Sequence, residues 1–166
     1  MVSVEAQGAG IDIIAVSRMR QILENPGCEA FLRKVYTADE LMCSKARADS
    51  VPFLARTFAA KEAIFKTFGI AGSEKVQLSD IEIHEGEFGQ PVPVLSGYFA
   101  ELARERHIED VLLSVAYDGD YAVAMAVLRR RAMPCKKGSM SKQTKYFRHK
   151  NQSSRFERGA PDGGQL

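Results

Sequence analysis

Several common signatures are missing from this sequence, and each absence removes a class of protein. Its three cysteines, Cys28, Cys43 and Cys135, form no CxxC or Cys/His spacing, and their odd number argues against a disulfide framework. Reduced thiols in a cytoplasmic protein are the expectation. No Lys or Arg precedes Arg18, and the one apolar run near the start, residues 11–16, contains Asp12. That run is too short for a signal or membrane segment, so no membrane association is expected. Internal repeats are absent as well.

What is there fits one folded domain. The 166 residues are 45% hydrophobic and 27% charged, ordinary values for a globular chain long enough to bury a core. The formal charge of +2 hides an uneven distribution. Residues 1–128 hold 12 Lys and Arg against 19 Asp and Glu, whereas residues 129–166 hold 11 against 2. A folded body over residues 1–130 and a basic tail over residues 131–166 are expected, the tail too poor in apolar anchors to offset its ordering entropy. Such a tail could solubilise the chain, meet nucleic acid, or speed encounters with an acidic protein.

Along the body, Gly10-Ile11-Asp12-Ile13-Ile14-Ala15-Val16 reads as a buried strand entered through Gly8-Ala9-Gly10. Ser17 is placed to cap a short helix carrying Arg18 and Arg20, which Asn25-Pro26-Gly27 terminates. Thr37-Ala38-Asp39-Glu40 is a capping box and predicts a helix over residues 37–47. A longer helical pattern covers residues 50–68, opened by Asp49-Ser50-Val51-Pro52 and closed at Gly69. Two short strands follow at residues 80–84 and 94–95, then a helix over 96–106. Strands at 111–117 and 121–128 flank the hairpin turn Asp118-Gly119-Asp120. The two aspartates are read as turn residues, and His84 and His107 as surface histidines.

The central helical pattern carries the chemistry. At ~100° per residue, Val51, Ala55, Phe58 and Phe65 share one stripe with Glu62 at its centre. A carboxylate facing inward needs a cation or a metal ion. Asp12 is a second acid in an apolar setting, and two hard oxygen donors at so low a count suit Mg²⁺, which takes its remaining ligands from water and phosphate. Lys66 lies four residues after Glu62. A plain surface Glu–Lys pair, and for Asp12 a local backbone contact, are the alternatives.

Five segments in register resemble a known family: Gly10-Ile11-Asp12-Ile13 with Arg18; Tyr36-Thr37-Ala38-Asp39-Glu40-Leu41; Phe58-Ala59-Ala60-Lys61-Glu62-Ala63 with Lys66 and Gly69; Gly89-Gln90-Pro91; and Tyr121-Ala122-Val123-Ala124. Over residues 8–128 the chain resembles holo-acyl-carrier-protein synthase, the small trimeric type of 4′-phosphopantetheinyl transferase. The resemblance implies an α+β fold with an antiparallel sheet packed on a long central helix, and a cytoplasmic homotrimer. It implies transfer of phosphopantetheine from coenzyme A to a serine of an acyl carrier protein, releasing 3′,5′-ADP. It assigns Mg²⁺ to Asp12 and Glu62, catalysis to Glu62 and Lys66, and carrier-protein binding to Arg18 and Arg20. Coenzyme A contacts fall to Lys61, Lys66, Arg56, Gly69 and Tyr117. Tyr117 stands where the family usually has a histidine, and Thr57 where it has a basic residue, with Arg56 one position earlier. Met125 replaces a frequent glutamine. These departures leave open a second reading, a catalytically weakened relative that binds carrier protein or coenzyme A as a scaffold or regulator.

Overall fold

Two glycines decide how closely the main helix can lie on the sheet. In the computed structural model, which describes residues 4–70 and 76–131, a strand β1 (Val4–Ala15) runs antiparallel to β5 (Tyr121–Arg131). A strand β4 (Ile108–Asp118) pairs with the other side of β5, giving the order β1-β5-β4. A Cβ on Gly8 would overlap the carbonyl oxygen of Thr67, and one on Gly10 that of Ala63, both on helix α4 (Val51–Thr67). β5 turns Ala122, Ala124 and Ala126 inward, and α4 contributes buried Ala55, Ala59, Ala60 and Ala63. Small residues on both sides let the helix backbone settle directly onto the strands.

Around this centre the remaining elements close the core. Helix α1 (Val16–Glu24) buries Met19, and helix α2 (Cys28–Val35) leads into Tyr36, whose hydroxyl donates to the Leu54 carbonyl at 2.8 Å. Helix α3 (Ala38–Lys45) follows. Strands β2 (Ile81–Glu85) and β3 (Pro91–Leu95) form a separate hairpin, and α5 (Gly97–Glu105) buries Phe99 against Phe65 and Phe68. The mixed helix and antiparallel-sheet class agrees with the expectation. The described residues belong to one compact unit, residues 1–132; the expected basic tail lies outside them.

Local signals account for most boundaries. Thr37 and Glu40 form the full capping box, with the Glu40 amide donating to the Thr37 hydroxyl and the Thr37 amide to the Glu40 carboxylate. Asp49 accepts the Val51 amide at 3.0 Å and so starts α4, which Gly69 ends at φ +56°. The β4–β5 turn falls on Gly119 and Asp120, as the Asp-Gly signal predicts.

Several expectations need correction. The strand expected to be buried, β1, buries Ile14 but leaves Ile11 and Ile13 exposed on its other face. Ser17 makes no cap bond; α1 starts one residue earlier and its Val16 amide donates to the Asp120 carbonyl. Helix α2 had no sequence signal recognised for it. Strand β5 continues through Arg129 and Arg130, because Arg129 pairs with Asp110 and Arg130 with Glu5 across the neighbouring strands. The most consequential correction concerns α4, whose fully buried charge is Lys61 and not Glu62.

Lys61 donates to Glu40 at 2.6 Å, to the Val35 carbonyl at 2.7 Å and to the Leu78 carbonyl at 3.3 Å. Glu40 in turn accepts the amides of Thr37 and Ile83, each at 2.9 Å. Burial pushes the Lys61 pKa down and the Glu40 carboxylate opposes that shift. One ion pair therefore joins α2, α3, α4, β2 and the short turn before β2.

Two stability outcomes follow. Lys61→Met strands Glu40 as an uncompensated buried charge and is expected to lose ~3–5 kcal/mol in urea unfolding, with the double variant Glu40→Gln/Lys61→Met less affected than the single one. If the double variant is no better, the pair is not what the lysine stabilises. Gly10→Ala forces its methyl against backbone and is expected to lose at least ~1–3 kcal/mol, whereas an unchanged midpoint would mean that α4 is not seated as described.

Candidate functional site

The seating of α4 on β1 brings the sequence-selected acids together. Asp12 follows Gly10 by two residues on the helix-facing side of β1, and Lys66 Nζ reaches across to donate to Asp12 Oδ1 at 2.6 Å and to the Ile11 carbonyl at 3.1 Å. Asp12 is largely buried, with 14% of its side chain exposed, whereas Lys66 is half exposed. Glu62 sits one turn before Lys66 and is half-buried. Among the described residues it makes no ion pair or side-chain hydrogen bond. Its pKa is raised, first by burial and then by the Asp12 charge, with Lys66 partly opposing.

Two carboxylates close enough to disfavour each other's charge, with a single lysine between them and solvent, form an electrostatically incomplete site. Hard oxygen donors of this kind fit a magnesium ion that keeps waters and takes phosphate ligands. No group of three or more His, Cys, Asp or Glu ligands occurs among the described residues.

A second group of residues lines a cleft of about 170 Å³ between the first half of α4, the β2–β3 hairpin and the end of β4. Arg56, His84 and Tyr117 border it, together with Phe53, Glu85 and Gly89. The guanidinium carbons of Arg47 and Arg56 lie 4.5 Å and 5.3 Å from the Phe53 ring centroid, and Arg47 pairs with Glu85 at 3.3 Å. Lys61, Lys66 and Gly69 thus do not border this cleft, whereas Arg56 and Tyr117 do. His84 joins them, although alternation alone assigned it to open surface; the missing histidine at position 117 was the signal to look for another imidazole nearby.

The two groups do not merge within the chain. Asp12 is in register with Ala124, and Ala124 with Val115 of the cleft wall, so β5 separates them by ~10 Å, two strand spacings. On α4, Glu62 and cleft-lining Ala60 point ~200° apart.

The remaining candidates are placed as follows. Lys61 is fully buried on Glu40, so the expected coenzyme A contact from Lys61 is corrected: its ammonium has no path to a ligand while that pair persists. Thr57 is buried as well, leaving Arg56 as the cleft's basic residue on α4. Gly69 is exposed beyond the helix end, near Lys66 in sequence and outside the cleft. Arg18 and Arg20 are exposed on α1, with Arg20 paired to Asp49 at 3.1 Å. Glu40, the buried partner of Lys61, went unrecognised beyond its capping role; an ammonium inside an alanine-rich helical run was the clue that an acid had to meet it.

The sequence and the fold are similar to those of known proteins. Residues 8–126 match the sequence model of the ACPS family, described as the 4′-phosphopantetheinyl transferase superfamily. The chain is 40% identical over 120 residues to a holo-[acyl-carrier-protein] synthase of Desulforudis audaxviator, covering 72% of this chain and 90% of that protein. It is similar to the crystal structure of holo-ACP-synthase from Plasmodium yoelii, with a TM-score of 0.69 and 28% identity over 78% of this chain and 99% of that one. A Bacillus anthracis holo-(acyl-carrier-protein) synthase in complex with CoA (3′,5′-ADP) superposes with a TM-score of 0.61 and 31% identity, over 75% of this chain and 97% of that one. With the match spanning nearly the whole described body, the chain belongs to the 4′-phosphopantetheinyl transferase superfamily.

Proposed function

We propose that the protein is a holo-acyl-carrier-protein synthase that moves the 4′-phosphopantetheine group from coenzyme A to a serine of an apo acyl carrier protein. The observation that carries this reading is the Asp12–Glu62–Lys66 group, which family membership alone does not guarantee in an individual chain. Asp12 and Glu62 would hold magnesium, which when bound supplies positive charge to the diphosphate. Lys66, half exposed on a flexible stem, can turn from Asp12 to steady the leaving phosphate. The serine oxygen bonds to the β-phosphorus, the bond from that phosphorus to the bridging oxygen breaks, and 3′,5′-ADP leaves with that oxygen. Glu62, or a water held beside it, is the candidate to take the serine proton.

The cleft supports coenzyme A as the donor through Arg56 and Tyr117. Exposed Arg18 and Arg20 on α1 offer an acidic carrier protein a basic contact. Among the described residues no helix is long and apolar enough to cross a membrane. A homotrimer belongs to the same reading. The outward face of the sheet carries Ile11 and Ile13, each 63% exposed, with Met125 beside Ile11 and Leu112 on β4, an apolar surface for a neighbouring copy to cover.

Incubation with coenzyme A, Mg²⁺ and a panel of apo carrier proteins should add the phosphopantetheine mass to a carrier. Unchanged masses across the panel, with carrier binding retained, would favour the scaffold reading. Glu62→Gln is expected to reduce transfer by at least ~100-fold, the scale on which even outer partners of a metal site act. Because the folded-state pKa of Glu62 is raised, its contribution to stability is fullest below the ordinary glutamate range and is lost as pH rises through the raised value. Without metal at neutral pH, Glu62→Gln should therefore melt no lower than wild type, and Mg²⁺ should raise the wild-type melting temperature only. In sedimentation, wild type is expected as three copies and Ile11→Glu/Ile13→Glu as one; a wild-type monomer at micromolar concentration rules out the trimer.

A further inference from the structure

The cleft holds an imidazole that neither the family pattern nor the transfer chemistry assigns. His84 of β2 lines the same cleft as Tyr117 of β4 and Arg56 of α4. Its ring is half exposed and its Nε2 is 3.6 Å from Glu82 Oε2. Glu82 is itself fixed, because Thr37, the cap of α3, donates its hydroxyl to Glu82 Oε1 at 3.2 Å. A carboxylate beside one nitrogen orients the histidine ring, and Nδ1 has no hydrogen-bond partner among the described residues. The other charges at the cleft are Arg56, and Glu85, whose charge Arg47 answers at 3.3 Å. Arg56 makes no ion pair among the described residues, and the His84 ring adds a nitrogen donor at the same cleft.

An aromatic ring, a guanidinium and an oriented imidazole around a narrow cleft suit a small dianion carried on a nucleoside. Tyr117 can donate one neutral hydrogen bond there but brings no charge near neutrality. We propose that His84, together with Arg56, recognises the 3′-phosphate of the nucleotide half of coenzyme A, so that an imidazole from β2 serves where this chain has tyrosine on β4. The inference rests on the reading that the cleft takes coenzyme A. It makes His84 the residue that separates coenzyme A from its 3′-dephosphorylated form.

Calorimetric titration of the full-length protein with 3′,5′-ADP and with 5′-AMP tests this without any transfer step. Wild type is expected to prefer 3′,5′-ADP, and His84→Ala to lose about tenfold in affinity for it, the scale of one charge-assisted hydrogen bond, with 5′-AMP binding little changed. His84→Lys should recover part of the preference. The proposal is overturned if His84→Ala keeps the full preference, if it weakens both nucleotides equally, or if Tyr117→Phe abolishes the preference while His84→Ala does not. Steady-state transfer adds a second readout: His84→Ala should raise KM for coenzyme A about tenfold, leaving kcat and the KM for dephospho-coenzyme A near wild type. A protein that transfers nothing but shows the His84-dependent preference refutes the enzymatic reading and keeps this one. Normal transfer with an unaffected His84→Ala does the reverse.

Discussion

A lysine ammonium with no exposed surface, held between a glutamate and two backbone carbonyls, is the contact on which the rest of the body depends. Charges removed from water are expensive unless paired and hydrogen-bonded, and here every partner comes from a different element. Glu40 is simultaneously the cap of its own helix, the acceptor for the first paired strand of the hairpin, and the counter-ion of α4. A short capping sequence therefore fixes the rotation of a helix far from it in the chain. With Lys61 turned inward, its neighbour Glu62 must face ~100° away, toward the edge where β1 carries Asp12.

The second constraint is steric. Glycine at positions 8 and 10 lets helix backbone rest where side chains would otherwise stand, and this close approach is what allows Lys66 to bridge to Asp12. Glu62 is partly desolvated and the Asp12 charge disfavours its ionisation further, so the group is primed for added positive charge. The packing of α4 and the meeting of Asp12 with Lys66 have one cause, the absence of two methyl groups.

The cleft on the other flank of α4 follows a different logic. It is walled by a hairpin and a strand end, and the hairpin is tied back by Arg47 to Glu85 from the loop after α3 and by Thr37, the cap of α3, to Glu82. Residue types at Thr57 and Tyr117 depart from the family pattern, but the cleft is still lined by a guanidinium from α4 and an imidazole from β2. Substitution at one wall is offset from another because the site is defined by the space and not by any one strand.

Much was legible from residue order alone. Caps and turns act over three or four residues, so Thr37-Ala38-Asp39-Glu40, Asp49 with Pro52, and Asp118-Gly119 mark their elements locally, and the motif series from Gly10 to Ala124 identified the family. Asp12, Glu62 and Lys66 could be singled out because acids and a lysine in apolar runs demand partners. Which charge on α4 goes inside could not be read, because Lys61 and Glu62 differ by one step of a helix buried on more than one face, and only the position of Glu40 breaks the tie. The same holds for His84: its exposed position is legible, but only the packing of the hairpin against α4 and β4 decides that it also borders a cleft.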